Sequence, residues 1–285
     1  MPSAVPGAPE RAHPDLFERR WESPGGDPRA IMLVIHGLSE HSGRYAGFAG
    51  ALGTAGFETR GVDLYGHGRS PGRRGHVRDF DADHLGAVDA LVTHAERERS
   101  GVPMFLLGHS LGGLVAARWV QTRVFASRLH GLILVAPFVE SAMRVPAWKR
   151  AASTALAHLK PSFTLPTGIR DSDLFRTPAE AERFAADELV QRRISAGHWN
   201  ALTKERERLV AAAGKLQTPT LVLLAGEDRI VSLDAARAFA AALPSATVLE
   251  YDGAFHALHH DPVAAGMTAD LLAWAEARLG DVGET

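Results

Sequence analysis

The feature that most constrains the fold is a set of four short, nearly unbroken apolar runs. They are Ile31–Ile35, Val102–Leu107, Leu132–Ala136 and Leu221–Ala225. Runs of this length, rich in Val, Ile and Leu, are typical of strands that are buried on both faces of a parallel sheet. Weaker strands are predicted at Phe57–Asp63 and Ala246–Tyr251, and Leu16–Trp21 is predicted to be an antiparallel edge strand.

Helical patterns alternate with these strands. They cover Gly43–Ala55, Asp81–Arg99, Leu111–Val124, Ser232–Leu243 and Pro262–Arg278. This alternation predicts an α/β fold with a mostly parallel central sheet, flanked by helices and joined by right-handed crossovers. Because ligands of such sheets bind at the carboxyl ends of the strands, we expect the functional residues there.

One stretch, residues 137–209, interrupts the alternation and is called the insertion below. It contains no convincing strand and several helical segments separated by Pro and Gly. Lys149, Arg150 and Lys160 alternate with apolar residues at amphipathic spacing. The pattern fits a helix packed over the core or a cap over an active site. We expect an α/β core of residues 16–136 and 210–279, a disordered leader (1–15) and a tail (280–285).

Composition excludes several classes of protein. The chain has 285 residues, a net charge of −2 and both signs of charge interspersed, so no basic face for nucleic acid is expected. The absence of Cys excludes disulfides, thiolate metal sites and a cysteine nucleophile, and it fits a cytoplasmic location. The first 15 residues have no apolar core of a signal peptide. No apolar run approaches the ~20 residues that span a bilayer.

Ser110 stands at a sharp junction, in the sequence Gly108-His109-Ser110-Leu111-Gly112. This G-x-S-x-G motif follows a predicted buried strand and opens a predicted helix, which is the setting of a nucleophile elbow. The alternative is a structural serine in a turn. The elbow would lift the hydroxyl above the sheet, at the helix end that favours developing negative charge.

A serine hydroxyl needs a general base, and the base needs an orienting acid. In the order typical of this arrangement, an acid and then a histidine follow the serine, each after a later strand. Asp228 and His256 lie at those two positions. Asp252 remains an alternative acid. Glu227 should point elsewhere, and His259 and His260 fall in the approach to the last helix, so we predict His256 as the base.

Two backbone N–H groups are expected to form an oxyanion hole. One belongs to Leu111, the residue after the nucleophile, and the other to Leu38, in the loop after the strand Ile31–Ile35. Neither a P-loop nor an H-E-x-x-H motif is present. The adjacent His259 and His260 are poorly placed to face one ion together. We therefore predict no metal and no cofactor.

Several segments together resemble the monoacylglycerol lipase/lysophospholipase branch of the α/β-hydrolases. They are Gly108–Gly113 (GHSLGG), His36–Tyr45 (HGLSEHSGRY), Asp63–Ser70 (DLYGHGRS), Arg74–Val77 (RGHV), Gly226–Val231 (GEDRIV) and the loop ending at His256. The resemblance covers about residues 16–279 and implies a Ser110/Asp228/His256 triad. It also implies a helical cap, inserted after the sixth strand, over an apolar acyl tunnel. The chain departs from the family at Asp187–Gln191 (DELVQ), where similar bacterial members often carry D-P-L-V-[HY].

The resemblance implies a serine esterase that acts on fatty-acyl esters of glycerol or small alcohols. Lysophospholipids, thioesters and non-lipid esters are alternative substrates, and a non-catalytic ligand-binding protein is a further alternative. Transient contact of the cap with a membrane or micelle is compatible with this interpretation. The apolar residues expected to line the tunnel are Phe138, Val145, Trp148, Leu156, Leu159, Phe163 and Leu165.

Overall fold

The computed structural model of the chain describes residues 15–143 and 154–280. The strands are β1 (Glu18–Trp21), β2 (Ala30–Ile35), β3 (Phe57–Val62), β4 (Met104–His109), β5 (Leu129–Val135), β6 (Thr164–Pro166), β7 (Arg193–Ser195), β8 (Thr220–Ala225) and β9 (Ala246–Tyr251). Seven of them form one sheet in the order β1-β3-β2-β4-β5-β8-β9. β1 pairs antiparallel with β3, and the other neighbours pair parallel. The predicted α/β fold, with its mostly parallel sheet and antiparallel edge, is confirmed.

The helices occupy the predicted intervals between the strands. They are α1 (Ala46–Thr54), α2 (Gly86–Glu98), α3 (Leu111–Thr122), α4 (Asp171–Leu174), α5 (Pro178–Ala186), α6 (Ala196–Ala211), α7 (Leu233–Ala241) and α8 (Ala264–Gly280). A 3-10 turn, Ser42–Tyr45, precedes α1, and a π-helical turn, Asp81–Leu85, precedes α2. These two turns extend each helix to about the start predicted from the sequence.

Helices cover both faces of the sheet, which explains why its central strands β2, β4, β5 and β8 are mostly apolar. In β2, Ile31, Leu33 and Ile35 face the hydrophobic core shared with α2, α3 and α7. Met32 and Val34 face the core shared with α1 and α8. Successive residues of a strand point to opposite faces, so a strand buried on both sides favours apolar residues at every position. The interior strand β3 is an exception, in which the buried Arg60 donates to the buried Glu58.

The order of the strands places one crevice at the centre of the sheet. The chain passes from β2 outward to β3 on one side, crosses back to β4, and then proceeds outward to β5, β8 and β9 on the other side. The loops that follow β2 and β4 therefore diverge at their carboxyl ends, where Ile35 pairs with Gly108. A crevice at such a reversal is the usual ligand site of an open α/β sheet.

The insertion differs from the prediction in two respects. It contains a short antiparallel ribbon, β6 with β7, where no strand was expected. Each of these strands has only three residues and β6 ends in Pro166, so neither shows the length or apolar run of a strand. The insertion also follows the fifth strand of the chain, β5, and not the sixth, since β1 alone precedes β2.

Two further predictions concern the ends of the chain and membranes. Residues 1–14 of the predicted leader and residues 281–285 of the tail lie outside the described residues. Within the described residues, we find no helix with the length and apolar character needed to cross a membrane.

Candidate active site

Ser110 occupies the sharp turn between β4 and α3 that the sequence predicted. Its backbone has φ 53° and ψ −114°, in a region that non-glycine residues rarely adopt. The turn is held by its own backbone: the Ser110 N–H donates to the Val135 carbonyl at 3.0 Å, and its carbonyl accepts from the Phe138 N–H at 3.0 Å. A strained backbone that the surrounding structure enforces is a recurrent feature of functional sites.

The two glycines of the motif are required by close packing. A Cβ on Gly108 would lie 2.2 Å from the Gly112 carbonyl oxygen, and one on Gly112 would lie 2.0 Å from the Ile35 carbonyl oxygen. Both neighbours are backbone atoms, which cannot turn aside as a flexible side chain can. The spacing of G-x-S-x-G thus lets β2, β4 and α3 approach one another closely enough to form the turn.

Asp228 and His256 meet beside Ser110. His256 Nδ1 lies 2.7 Å from Asp228 Oδ2, and both side chains are buried. Oδ1 of Asp228 accepts from the backbone N–H groups of Ile230 at 2.8 Å and Val231 at 2.9 Å. These contacts fix the carboxylate, which in turn can hold the imidazole in the tautomer whose other nitrogen is available to a serine hydroxyl. Ser110 and His256 line the same chamber.

The carboxylate is ionised in this setting. Burial by itself would raise the pKa of Asp228, but the charge of His256, its hydrogen bond and the two backbone N–H donors outweigh burial and lower that pKa. The alternative acid, Asp252, is exposed, as is Glu227. Among the acids weighed from the sequence, Asp228 is therefore the one hydrogen-bonded to His256.

Leu38 and Leu111, the two expected N–H donors, both border the space beside Ser110. Leu111 is the first residue of α3, where helical N–H groups have no partner within the helix. The loop that carries Leu38 is anchored at its preceding residue, since the Gly37 N–H donates to Glu40 Oε1 at 2.8 Å. This arrangement can present two N–H groups to one oxygen atom placed beside the Ser110 hydroxyl.

Glu40 organises a second set of buried polar groups below the loop. Its Oε1 accepts from the Tyr45 hydroxyl at 3.0 Å and lies 2.6 Å from His109 Nδ1. His109 Nε2 lies 3.3 Å from the His256 carbonyl oxygen. Burial would raise the pKa of Glu40, but the charge and hydrogen bond of His109 hold it well below its usual range.

Glu40, His109 and His259 each offer one atom that could bind a metal ion, and these three atoms lie within 4.8 Å of one another. However, Oε1 of Glu40 already takes hydrogen bonds from the protein, so we interpret the set as support for the loop and for His256. Glu40 and His109 are not among the site residues predicted from the sequence, although both lie in the conspicuous motifs His36–Tyr45 and Gly108–Gly113.

Two chambers meet at Ser110. One is called the polar chamber because Glu40, His109 and His256 border it, although Leu174, Phe175 and Phe184 make the rest of its lining apolar. The other, the apolar chamber, is bordered by Phe138, Ile194, Trp199 and Leu202. Leu38, Ile169 and Ile230 border both. A molecule with an apolar chain and a polar head could therefore lie with its two parts on opposite sides of the Ser110 hydroxyl.

The residues predicted to line the tunnel differ in their exposure and in whether they border a chamber. Phe138 borders the apolar chamber. Leu156 is partly buried, whereas Leu159, Phe163 and Leu165 expose 85%, 40% and 42% of their surface and do not border either chamber. Val145 and Trp148 lie outside the described residues. Exposed apolar side chains of this kind cannot be told from lining ones by hydrophobicity alone.

The apolar chamber is instead formed by later parts of the insertion that the prediction missed. Ile194 belongs to β7, and Trp199 and Leu202 lie three residues apart on α6, so they share one helix face. The sequence shows that spacing, but it does not show which element the helix face contacts.

Comparisons with known proteins agree with this site. A family model described as serine aminopeptidase, S33 (Hydrolase_4) matches residues 26–263. Human monoglyceride lipase is 32% identical over 94% of this chain and 89% of its own length. Phospholipase YtpA of Bacillus subtilis is 30% identical over 85% of this chain and 93% of its own.

A solved structure provides a further comparison. The monoacylglycerol lipase of Paleococcus ferrophilus superposes with a TM-score of 0.81 at 28% identity, over 92% of this chain and 99% of that one. The sheet order, the turn at Ser110 and the match over most of the chain point to the same conclusion. The chain belongs to the serine aminopeptidase S33 (Hydrolase_4) family of the α/β-hydrolases.

Proposed function

We propose that this carboxylic ester hydrolase cleaves fatty-acyl esters of glycerol or other small alcohols, and that Ser110, Asp228 and His256 are its catalytic triad. The observation that carries the proposal is the buried Asp228–His256 hydrogen bond of 2.7 Å, in a pair that lies beside the strained turn of Ser110. The turn and the buried pair together supply a nucleophile and a base.

The proposed reaction follows from these positions. His256 takes the proton of Ser110 as its Oγ attacks the ester carbonyl carbon, and Asp228 stabilises the imidazolium that results. The N–H groups of Leu38 and Leu111 bind the oxyanion, each contributing ~3 kcal/mol of transition-state stabilisation. His256 then protonates the leaving alkoxide. A water molecule, deprotonated by His256, releases the fatty acid from the acyl-enzyme.

The chambers support an ester with an apolar acyl chain and a small polar alcohol. The acyl chain fits the apolar chamber, where each CH₂ group that leaves water contributes ~0.8 kcal/mol. The alcohol fits the polar chamber, among Glu40, His109 and His256. Monoacylglycerols have this composition, and the human and Paleococcus relatives are named for that substrate.

Lysophospholipids are the second candidate substrates, because the Bacillus relative is named a phospholipase. A lysophospholipid carries a charged phosphate in place of a free glycerol hydroxyl. The polar chamber contains the anionic carboxylate of Glu40, which disfavours that phosphate.

Thioesters and non-lipid esters would use the same triad. We keep cytoplasmic location and transient membrane contact as predictions.

The test is a hydrolysis panel of monoacylglycerols, triacylglycerols, lysophospholipids, acyl-CoA and p-nitrophenyl esters, with the wild type and Ser110→Ala. We expect monoacylglycerols and short to medium p-nitrophenyl esters to be the best substrates and long triacylglycerols to be poor. Ser110→Ala should fold normally and lose turnover by up to ~10⁶-fold. It should also fail to react with a fluorophosphonate that labels the wild type.

Two outcomes would contradict the proposal. Absence of labelling and hydrolysis in folded wild-type protein would favour a ligand-binding protein without catalysis. If lysophospholipids were hydrolysed faster than monoacylglycerols, the proposed triad would stand and the proposed substrate would be wrong.

A further inference from the structure

A short segment of the insertion, Asp187–Gln191, lies directly on the loop after β2. Asp187 Oδ2 lies 2.9 Å from His41 Nε2. The Gln191 N–H donates to the Ser39 carbonyl oxygen at 3.1 Å, and Gln191 Nε2 donates to the Leu38 carbonyl oxygen at 3.1 Å. The segment thus contacts the loop at His41, Ser39 and Leu38, and Leu38 is the residue whose N–H we place in the oxyanion hole.

The orientation of the Gln191 amide follows from its surroundings. The side chain is buried, and its nitrogen faces the Leu38 carbonyl oxygen, which can only accept a hydrogen bond. Its Oε1 points toward Gly75, where a Cβ would come within 2.6 Å, and has no hydrogen-bond partner among the described residues. Turning the amide over would place two oxygen atoms against each other, so the nitrogen must face Leu38.

His67 takes the second hydrogen of the same amide. Gln191 Nε2 lies 2.8 Å from His67 Nε2, while His67 Nδ1 lies 3.0 Å from the Tyr65 carbonyl oxygen. Burial lowers the pKa of His67 to about 3, so the ring is neutral and carries one proton. His67 Nε2 also lies 2.8 Å from the Leu38 carbonyl oxygen, but a proton on Nε2 would face Gln191 Nε2 and leave Nδ1 without a hydrogen for Tyr65. With the proton on Nδ1, the ring donates to Tyr65 and accepts from Gln191. The two N–H bonds of Gln191 are then divided between His67 and Leu38.

We propose that Gln191 is a positioning residue for the oxyanion hole: by hydrogen-bonding the carbonyl oxygens of Leu38 and Ser39, it fixes the loop on the carboxyl side of Leu38, which limits rotation about Leu38 and so restrains the N–H of that residue. The inference rests on the proposed function. An N–H donor that must meet a developing oxyanion tolerates little displacement, since an error of 1 Å can cost about 10²-fold in rate. The loop receives this support from the insertion, so the insertion contributes to catalysis as well as to substrate binding.

The chemistry of position 191 explains why glutamine suits it. The chain departs here from D-P-L-V-[HY], the pattern that similar bacterial members often carry. A tyrosine hydroxyl or a neutral imidazole offers one donor hydrogen, whereas the glutamine amide offers two on one nitrogen. Only the amide can donate to Leu38 and His67 at the same time.

Gln191→Leu tests the proposal, because leucine fills similar space and donates no hydrogen bond. We expect kcat to fall about 10-fold or more, with KM changed by less than about 2-fold. Inhibition by a trifluoromethyl ketone, whose adduct with Ser110 carries an oxyanion, should weaken by a similar factor. Gln191→His, which restores one donor, should recover part of the kcat.

Gln121→Leu is the matched control. Gln121 Nε2 also donates to two backbone carbonyls, those of Leu209 at 3.1 Å and Ala212 at 2.9 Å, but it does not border either chamber. This variant should lose stability to urea and keep the kcat of the wild type. Urea unfolding of all variants shows how much of any loss reflects folding.

The outcomes separate the two proposals. A wild type that hydrolyses none of the esters overturns the proposed function and this inference with it. An active wild type with a Gln191→Leu variant of equal kcat and equal ketone affinity overturns the inference alone. So does a Gln191→Leu variant whose only defect is a raised KM.

Discussion

Gly112→Ala should be strongly destabilising, although the same change stabilises most helices. Gly112 is the second residue of α3, and its backbone packs against the carboxyl end of β2. An added Cβ would lie 2.0 Å from the Ile35 carbonyl oxygen and 2.7 Å from that of His36. Real Cβ contacts essentially never fall below 3.0 Å, so α3 and β2 would have to separate by about 1 Å.

The expected cost can be set against a matched change elsewhere. Overpacking of a rigid site costs about 3 kcal/mol at the upper end of the usual range, and here both obstructing atoms belong to backbone in the central sheet. Gly50 lies in the interior of α1, is exposed, and has nothing within 4 Å of an added Cβ. Gly50→Ala should stabilise the protein by about 0.5–1 kcal/mol, through helix propensity alone. The two variants should therefore differ by nearly 4 kcal/mol in free energy of unfolding.

Urea unfolding, followed by tryptophan fluorescence, measures both free energies, and ester hydrolysis measures the effect on the site. A displaced α3 also displaces the Leu111 N–H, so kcat of Gly112→Ala should fall about 10²-fold, while Gly50→Ala keeps the wild-type value. Equal stability of the two variants would show that the packing argument for the motif is wrong. Normal stability with low kcat would instead limit the role of Gly112 to the oxyanion hole.

Three further predictions concern the acid, the buried histidines and the apolar chamber. Asp228→Asn should lower kcat by about 10⁴-fold, because the imidazole loses its orienting anion, whereas Asp252→Asn should have little effect on kcat. If steady-state assays gave the opposite ranking, the orienting acid would be Asp252. Burial lowers the pKa of His67 to about 3 and that of His198 to about 4, so below pH ~6.5 the unfolded state binds protons that the folded state excludes. The free energy of unfolding should then fall by about 1.4 kcal/mol per pH unit for each histidine between pH ~6 and ~4, and a flat urea midpoint over this range would contradict their burial. For esters of increasing acyl length, kcat/KM should rise about 4-fold per added CH₂ group until the apolar chamber is filled. Trp199→Ala should lengthen the acyl chain at which this rise stops. A wild-type kcat/KM that did not depend on acyl length would show an open site.

The central sheet could be predicted because its determinants are local. A run such as Leu221–Ala225 is too apolar for any exposed element and too short for a helix of the usual length. The ribbon of Thr164–Pro166 with Arg193–Ser195 could not be predicted, since its strands have three residues each and pair across 26 intervening residues. Each strand of the ribbon is stabilised by its partner strand, and the local sequence of one strand does not indicate that partner.

The site shows the same division. Ser110, Asp228 and His256 each follow a strand whose position the sequence indicates, so their meeting at one edge of the sheet could be expected. The contact of Gln191 with Leu38 joins residues 153 positions apart, through a side chain in an irregular segment. Leu159 was chosen for hydrophobicity and is 85% exposed, because amphipathic spacing identifies an apolar face without identifying what covers it.

The insertion leaves the sheet at β5 and returns at β8, and these two strands are hydrogen-bonded neighbours, with Val135 opposite Leu223. The points of departure and return therefore stay together whatever lies between them, and each doubling of the intervening length adds only about 0.6 kcal/mol of closure cost. A scaffold of this kind allows modular exchange: one catalytic edge can accept foreign inserts of different size, and substrate range can diverge while the chemistry is retained. In this chain, a graft would have to reproduce what Asp187–Gln191 provides to the loop after β2.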